Sequence, residues 1–418
     1  MKIPFANSFP ARLAIILLAL ASAVAVGRAG SVAAPYAIGT WAGFRPAAIS
    51  YTFDDDLPNQ YAIAAPMFNA RGFKLTLFTV TTWLPNSSWS SVQTAAAFGH
   101  EIASHTITHP NTLASLSLAQ QTNELANSQS AINANVTNQS CVTLAYPYCV
   151  EGSEAITGTY YIAARGCSGS LVPSTPPNFL NISSFVCGPS GSIQTTAQFN
   201  SEANAAAAAN SWCVYLIHAI DNDNGYSPLA SATLQASLDY LSTNRSKFWV
   251  ETFGNVVRYI RERNASSVAE TTNTANRITL QVTNSLNNSI YNYPITLRRP
   301  LPTNWLAAAV SQNNRALNAQ LVTINSTNYV MFDVVPNGGD VVLTKSVLPF
   351  SMSNPVLATP TNLTFRLDGQ AGASYAICAS TDLITWLPVQ SNTLASSSTN
   401  FTVDVSAAGQ FFRAQWSP

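Results

Sequence analysis

Charge is what this sequence has least of. Only 19 basic and 19 acidic residues are spread over 418 positions, the formal net charge is zero, and there are four histidines. A chain so balanced offers no basic face to nucleic acid or to an anionic membrane. Long apolar runs are equally scarce. The run Leu13 to Val26 has 14 residues, short of the roughly 20 that a spanning helix needs. It follows Lys2 and Arg12 and is followed by small residues, with Ala21-Ser22-Ala23 and Gly27-Arg28-Ala29 both acceptable to a signal peptidase. That order predicts a secretory signal over residues 1–29 and a mature chain outside the cytoplasm, without membrane attachment. Six cysteines suit such a compartment, and none of their spacings resembles a zinc-cysteine site. Closeness in sequence suggests Cys141 with Cys149 and Cys167 with Cys187, although spacing alone leaves connectivity open. Cys213, inside the apolar run Trp212–Ile217, reads as a buried thiol.

What the chain has in quantity is apolar and neutral polar residues. Hydrophobic residues make up 47%, enough for real cores, and the length predicts more than one domain. The surface must be built largely from Asn, Ser, Thr and Gln, a composition common in secreted proteins that handle neutral polymers. Acceptor motifs for N-glycosylation occur at Asn86, Asn135, Asn181, Asn325, Asn362 and Asn400.

Over residues 34–268, short apolar β-rich runs alternate with helical patterns. The candidate strands are 47–53, 73–80, 100–103, 142–146, 160–163, 213–217 and 248–250. The candidate helices are 58–71, 91–98, 118–133, 203–209, 228–243 and 256–263. Alternation of this kind predicts an α/β domain with a mainly parallel sheet, closed or nearly closed into a distorted (β/α) barrel. In such folds chemistry gathers at the C-terminal ends of the strands. From 272 to 347 the texture becomes short β-rich runs separated by Asn, Gly and Pro, which predicts a small antiparallel sandwich. A proline-bearing stretch at 348–360 reads as a linker, and 361–418 as a second all-β domain in which Pro388 confines its strand to an edge. Trp386 in that domain is a candidate for stacking on a sugar ring, or a core residue.

Two stretches about fifty residues apart carry the chemistry. The first is Thr52-Phe53-Asp54-Asp55-Asp56, three acids directly after an apolar run. Buried unpaired carboxylates are costly, so they must stand at a strand end within reach of water or a metal. The second runs from Gly99-His100-Glu101-Ile102 through His105 and His109 to Pro110, and it holds three of the four histidines. Imidazoles four residues apart recur in zinc sites, and one carboxylate with two imidazoles leaves a coordination position for water.

Thr-Phe-Asp-Asp followed by Gly-His-Glu-Ile-x-x-His-x-x-x-His-Pro resembles the first two motifs of the polysaccharide deacetylase family, the NodB-like carbohydrate esterases. The resemblance covers roughly Ala47 to Ile220 and implies a NodB-type barrel. It implies metal ligation by Asp55, His105 and His109, with Asp54 as the catalytic base. Leu144-Ala145-Tyr146-Pro147-Tyr148 resembles the third motif, whose Tyr148 N–H would help hold an oxyanion. The family's base-orienting arginine is replaced there by Ala145, so Asp54 is expected to be less well oriented unless Arg165, on a neighbouring strand end, supplies the cation. Leu216-Ile217-His218 resembles the fifth motif, with His218 as general acid, while the fourth motif is not recognisable. Asp56 stands where relatives have glycine and is expected to face solvent, and His100 is a bystander.

The implied function is secreted, metal-dependent removal of acetyl groups, N-acetyl before O-acetyl, from a glycan such as chitin or peptidoglycan. Zn²⁺ comes before Co²⁺ or Ni²⁺ as the metal. Two other readings stay open: a deacylase of a smaller N-acyl or O-acetyl compound, and a glycan-binding protein with a weakened site.

Overall fold

The computed structural model describes residues 30–84, 89–405 and 409–417. The expected signal segment and the acceptor Asn86 lie outside the described residues. A short strand, β1 (Ala37–Ile38), precedes eight parallel-sheet strands: β2 (Ala47–Asp54), β3 (Thr76–Thr79), β4 (Glu101–Ser104), β5 (Thr143–Ala145), β6 (Ala163–Arg165), β7 (Phe185–Val186), β8 (Trp212–Ile217) and β9 (Phe248–Val250). Their order is β6-β5-β4-β3-β2-β8-β7, with β9 beside the first half of β2, and every pairing is parallel. The curl nearly closes, because Arg165 at the end of β6 bridges Ile182, just before β7. The expected barrel is therefore present, with this bridge as its seam.

Among the described residues, seven α-helices accompany the strands: α1 (Ala65–Asn69), α2 (Trp89–Ala97), α3 (Leu118–Asn135), α4 (Glu154–Tyr160), α5 (Thr196–Ala208), α6 (Ser231–Thr243) and α7 (Phe253–Ala265). Alternation along β2 shows how they pack. Ile49, Tyr51 and Phe53 join Phe68, Leu125 and Leu234 in the layer beneath the helices. Ala48 instead shares a cluster with Phe78, Ala103, Ala145, Ala163, Trp212 and Phe253, which fill the barrel interior. Many of these interior positions are small, and the start of α7 seals one end. Glu101 fixes that seal: its buried carboxylate accepts from Thr76 Oγ1 (2.8 Å), Thr143 Oγ1 (2.6 Å) and the Gly254 N–H (2.7 Å). Gly254 is required for this approach, since a Cβ there would lie 2.2 Å from Glu101 Oε1.

Residues 267–346 form two antiparallel sheets, as expected, but β1 is recruited into one of them. Ala37 and Ile38 pair with Arg298 and Leu297, so the segment before the barrel is built into the sandwich after it. Pairing over 260 residues leaves no local trace in sequence. The stretch 348–360 corrects its reading as a linker, because Ser351–Thr359 is a strand paired with Asn362–Asp368. Its prolines misled: Pro355 falls where the register shifts, on an edge strand, the place where a missing N–H is tolerated. Pro388 lies on the edge strand Leu387–Thr393, as expected. One face of Trp386 is covered by the Arg413 guanidinium, 4.4 Å from the ring centroid. Among the described residues, no helix is long and apolar enough to cross a membrane.

The cysteine pairing also differs from expectation. The disulfide joins Cys149 to Cys167, and Cys141, Cys187 and Cys213 are buried thiols. Cys141 and Cys149 flank β5 at its two ends, which keeps them apart despite their closeness in sequence. Cys149 and Cys167 instead follow β5 and β6, adjacent parallel strands that end on the same side.

Candidate active site

Each candidate residue stands at or just past the C-terminal end of a barrel strand. Asp54 ends β2 and Asp55 follows it, His105 follows β4, Arg165 ends β6 and His218 follows β8. Parallel pairing brings these ends to one side, where Asp54, Asp55, His105, His109 and His218 line a cavity of about 430 Å³ with Trp83, Tyr146, Tyr148 and Tyr226. Asp55, Asp56, Thr106, His109, Tyr148 and Cys149 all have positive φ, between 54° and 76°. Such conformations are disfavoured for residues with a Cβ and concentrate at functional sites.

Asp55, His105 and His109 offer ligand atoms that all lie within 4.8 Å of one another. Their chemistry fits a cation. His105 Nδ1 lies 2.8 Å from the Ala145 carbonyl, which can only accept, so that nitrogen carries the proton and Nε2 presents a lone pair. Nε2 faces Asp55 Oδ1 at 3.7 Å, and His109 Nε2 faces the same oxygen at 3.5 Å. Asp55 Oδ1 is buried and has no hydrogen-bond partner among the described residues. Acceptors converging in this way lack the positive charge that a divalent metal supplies. Without one, burial and then the Asp54 and Asp56 carboxylates push Asp55 up to about 7. Burial, further lowered by neighbouring His109, takes His105 down to about 4 despite the opposing Asp54.

Asp54 is held differently. Burial alone would raise its pKa, yet Arg165, with His105 and His218, keeps it below the ordinary carboxylate range. Arg165 Nη2 donates to Asp54 Oδ2 in a contact buried on both sides. Of the two outcomes that the sequence left open for Asp54, the structure has the one in which Arg165 supplies the cation. Arg165 is the register partner of Ala145, so the cation reaches the same interior from one strand over. Ser184 Oγ, 3.3 Å from Nη1, and the Phe78 ring, 5.2 Å from the guanidinium carbon, steady it. Asp54 Oδ1 remains buried with no partner among the described residues, which leaves one oxygen of the carboxylate open.

His218 Nε2 lies 4.0 Å from both Asp54 Oδ2 and Asp55 Oδ2, and its ring packs edge-on against Tyr226 at 5.0 Å. Its Nδ1 is buried without a partner among the described residues, in keeping with the missing fourth motif. The Tyr148 ring packs on His109 at 4.8 Å. Trp83 covers His109 from another direction at 5.0 Å. His100 is buried away from this group, its Nδ1 accepting from the Leu75 N–H.

Asp56 does not face solvent as expected. It turns inward, accepting from the Tyr61 hydroxyl (2.9 Å) and the Val80 N–H (2.8 Å), and burial pushes it up to about 7. Two positioning residues had no motif to mark them. Gln60 Nε2 donates to the backbone carbonyls of both Asp54 and His218, tying two strand ends together. Glu124 of α3 accepts from the Ile107 and Thr108 N–H groups (2.9 and 3.0 Å) and from Thr108 Oγ1 (2.7 Å), and so fixes the loop that carries His109. Glu124 had a signal available, as the one charged residue in an 18-residue helix.

Residues 43–159, which hold the Asp54, Asp55, His105, His109 and Tyr148 positions, match the family model described as polysaccharide deacetylase. Among individual proteins, a gellan lyase from Bacillus sp is 28% identical over 339 residues, 76% of this chain. The chain spans only 13% of that relative's length. Among solved structures, the Xyl-CE4 domain of a multidomain xylanase from the hindgut metagenome of Trinervitermes trinervoides is 20% identical, with a TM-score of 0.37 over 50% of this chain and 88% of that one. A family 4 acetyl xylan esterase from Clostridium thermocellum, in complex with a cobalt ion, is 19% identical, with a TM-score of 0.35 over 50% and 89% of the two chains.

Proposed function

We propose that this protein is a secreted, metal-dependent hydrolase that removes acetyl groups from a polysaccharide, with an N-acetylated glycan such as chitin or peptidoglycan favoured over an O-acetyl ester. One observation carries the reading: the buried Asp54 carboxylate, its Oδ2 3.7 Å from His105 Nε2 and its Oδ1 unpartnered among the described residues, stands beside the converging acceptors of Asp55, His105 and His109. A divalent metal held by those three, with Zn²⁺ first, would lower the pKa of a water and polarise the acetyl carbonyl. Asp54, kept ionised by Arg165, takes the water's proton on Oδ1 as its oxygen attacks the carbonyl carbon. The Tyr148 N–H, presented by its left-handed turn, donates to the oxyanion as it develops. His218 gives a proton from Nε2 to the departing amine, which cannot leave as an anion.

The aromatic rings of Trp83, Tyr148 and Tyr226, each about half exposed or more, supply flat apolar faces on which a sugar ring stacks. A polysaccharide substrate also agrees with the name of the gellan lyase relative, although the shared part is a small fraction of that protein. Export is supported by the leader sequence and by the Cys149–Cys167 bond, which suits an oxidising compartment.

The test is acetate release from chitin oligomers, peptidoglycan and acetylxylan, with and without chelator, by the wild type and Asp54→Asn. The expected result is release that the chelator abolishes and a re-added divalent metal restores, with Asp54→Asn down by about 10²–10⁴-fold. Binding of these glycans without chelator-sensitive release would refute the hydrolase.

A further inference from the structure

The turn that carries Tyr148 is built against its own backbone preferences. Tyr148 and Cys149 are consecutive non-glycine residues with φ of 54° and 60°. A conformation of this kind persists only where its surroundings enforce it. Non-covalent enforcement is thin: within the turn, the Cys149 N–H donates to the Tyr146 carbonyl and the Val150 N–H to that of Pro147, each at 3.0 Å. The Tyr148 side chain is 61% exposed. The strong tether is covalent, through Cys149 to Cys167.

The other end of that tether is well anchored. Cys167 lies two residues beyond Arg165, and the Gly166 carbonyl between them accepts from Ser184 Oγ at 2.7 Å. The same Ser184 hydroxyl meets Arg165 Nη1. The Gly166 N–H donates to the Ile182 carbonyl at 2.8 Å, closing the barrel seam at this point. The disulfide therefore runs from a strained turn to a rigid strand end, and it joins the segment that presents an N–H to the cavity to the segment that supplies the cation for Asp54.

We propose that the Cys149–Cys167 disulfide is a positioning element of the hydrolytic site, holding the left-handed Tyr148–Cys149 turn so that the Tyr148 N–H faces the reacting carbonyl. Without the bond, the turn relaxes toward negative φ and the N–H rotates away. Arg165 stays, because Ser184, Asp54 and the seam hold it independently. The effect should therefore fall on turnover and spare substrate and metal binding. The kinetic part of this inference rests on the deacetylase reading, whereas the claim about the turn does not.

The experiment compares the wild type with Cys149→Ser/Cys167→Ser, measuring kcat and KM for acetate release, bound metal per chain and amide hydrogen exchange. The expected result is a kcat lower by about 10²-fold, the effect of losing one oxyanion donor. KM and metal content should be unchanged, with faster exchange confined to residues 148–150. Wild-type kcat in the variant, or exchange at 148–150 that stays as slow as in the wild type, would overturn the proposal. So would a rise in exchange spread evenly over the barrel, which marks a purely structural bond. If the wild type itself releases no acetate, the deacetylase reading fails, and the exchange measurement still decides whether the disulfide holds the turn.

Discussion

Replacing Arg165 with alanine would remove the guanidinium that pairs with Asp54, and the geometry sets the scale of the loss. The Arg165 and Asp54 side chains are 1% and 3% exposed, so water cannot take over the pairing. Removing one partner of a buried pair costs about 3–5 kcal/mol, because the other is left charged and unsolvated. Asp54 can escape part of that cost only by taking up a proton or by turning away, and either change disables it as a base. A misplacement of about 1 Å is enough for a loss on the order of 10²-fold in rate. The assay is kcat for acetate release, with bound metal measured in parallel, since Asp55, His105 and His109 do not touch the guanidinium. A second-site swap makes the test sharper. Ala145 and Arg165 are register partners on neighbouring strands, about 4.8 Å apart in the hydrogen-bonding direction. Arg165→Ala combined with Ala145→Arg should therefore recover much of the turnover that Arg165→Ala loses. Full turnover in Arg165→Ala, with metal bound, would refute the assignment of Asp54 orientation to this residue.

Two further outcomes concern stability. Glu262 of α7 is fully buried, with Oε2 accepting from the Tyr293 N–H and Oε1 unpartnered, and burial raises its pKa from 4.5 to about 8. Between those two values the unfolded chain has lost this proton while the folded chain keeps it, so stability falls as pH rises, by up to about 5 kcal/mol. Glu262→Gln should flatten that slope, and melting temperatures at pH 4 and pH 9 that change equally in wild type and variant would contradict it. Gly254→Ala would drive a methyl group into the Glu101 carboxylate and should cost about 2–3 kcal/mol in denaturant unfolding; a variant as stable as the wild type would show that the seal at that end of the barrel has slack.

Much of the barrel was legible because its signals are local. The apolar runs that became β2, β4 and β8 each end where a polar, chemistry-bearing residue follows, and a parallel sheet carries all such ends to one side. Asp54, Asp55, His105 and His109 could therefore be placed together past strand ends, whereas His218 was named by the resemblance to the fifth motif. Asp56 could not be placed this way: a third acid in a row reads as solvent-facing until Tyr61 and Val80 are seen to enclose it. Glu124 and Gln60 act through backbone groups on other elements, and no spacing in the chain records those contacts.

The sequence by itself determined which side chains are available to the site and the strand ends that carry them, because residue type and periodicity are properties of short segments. Only the tertiary structure decided how they are paired. It set Arg165 against Asp54 from the strand beside Ala145, joined Cys149 to Cys167 across adjacent strand ends in place of the sequence-near pairs, and took β1 into a sandwich 260 residues away. Each of these depends on which strands lie side by side, and that is fixed by the packing of the whole chain.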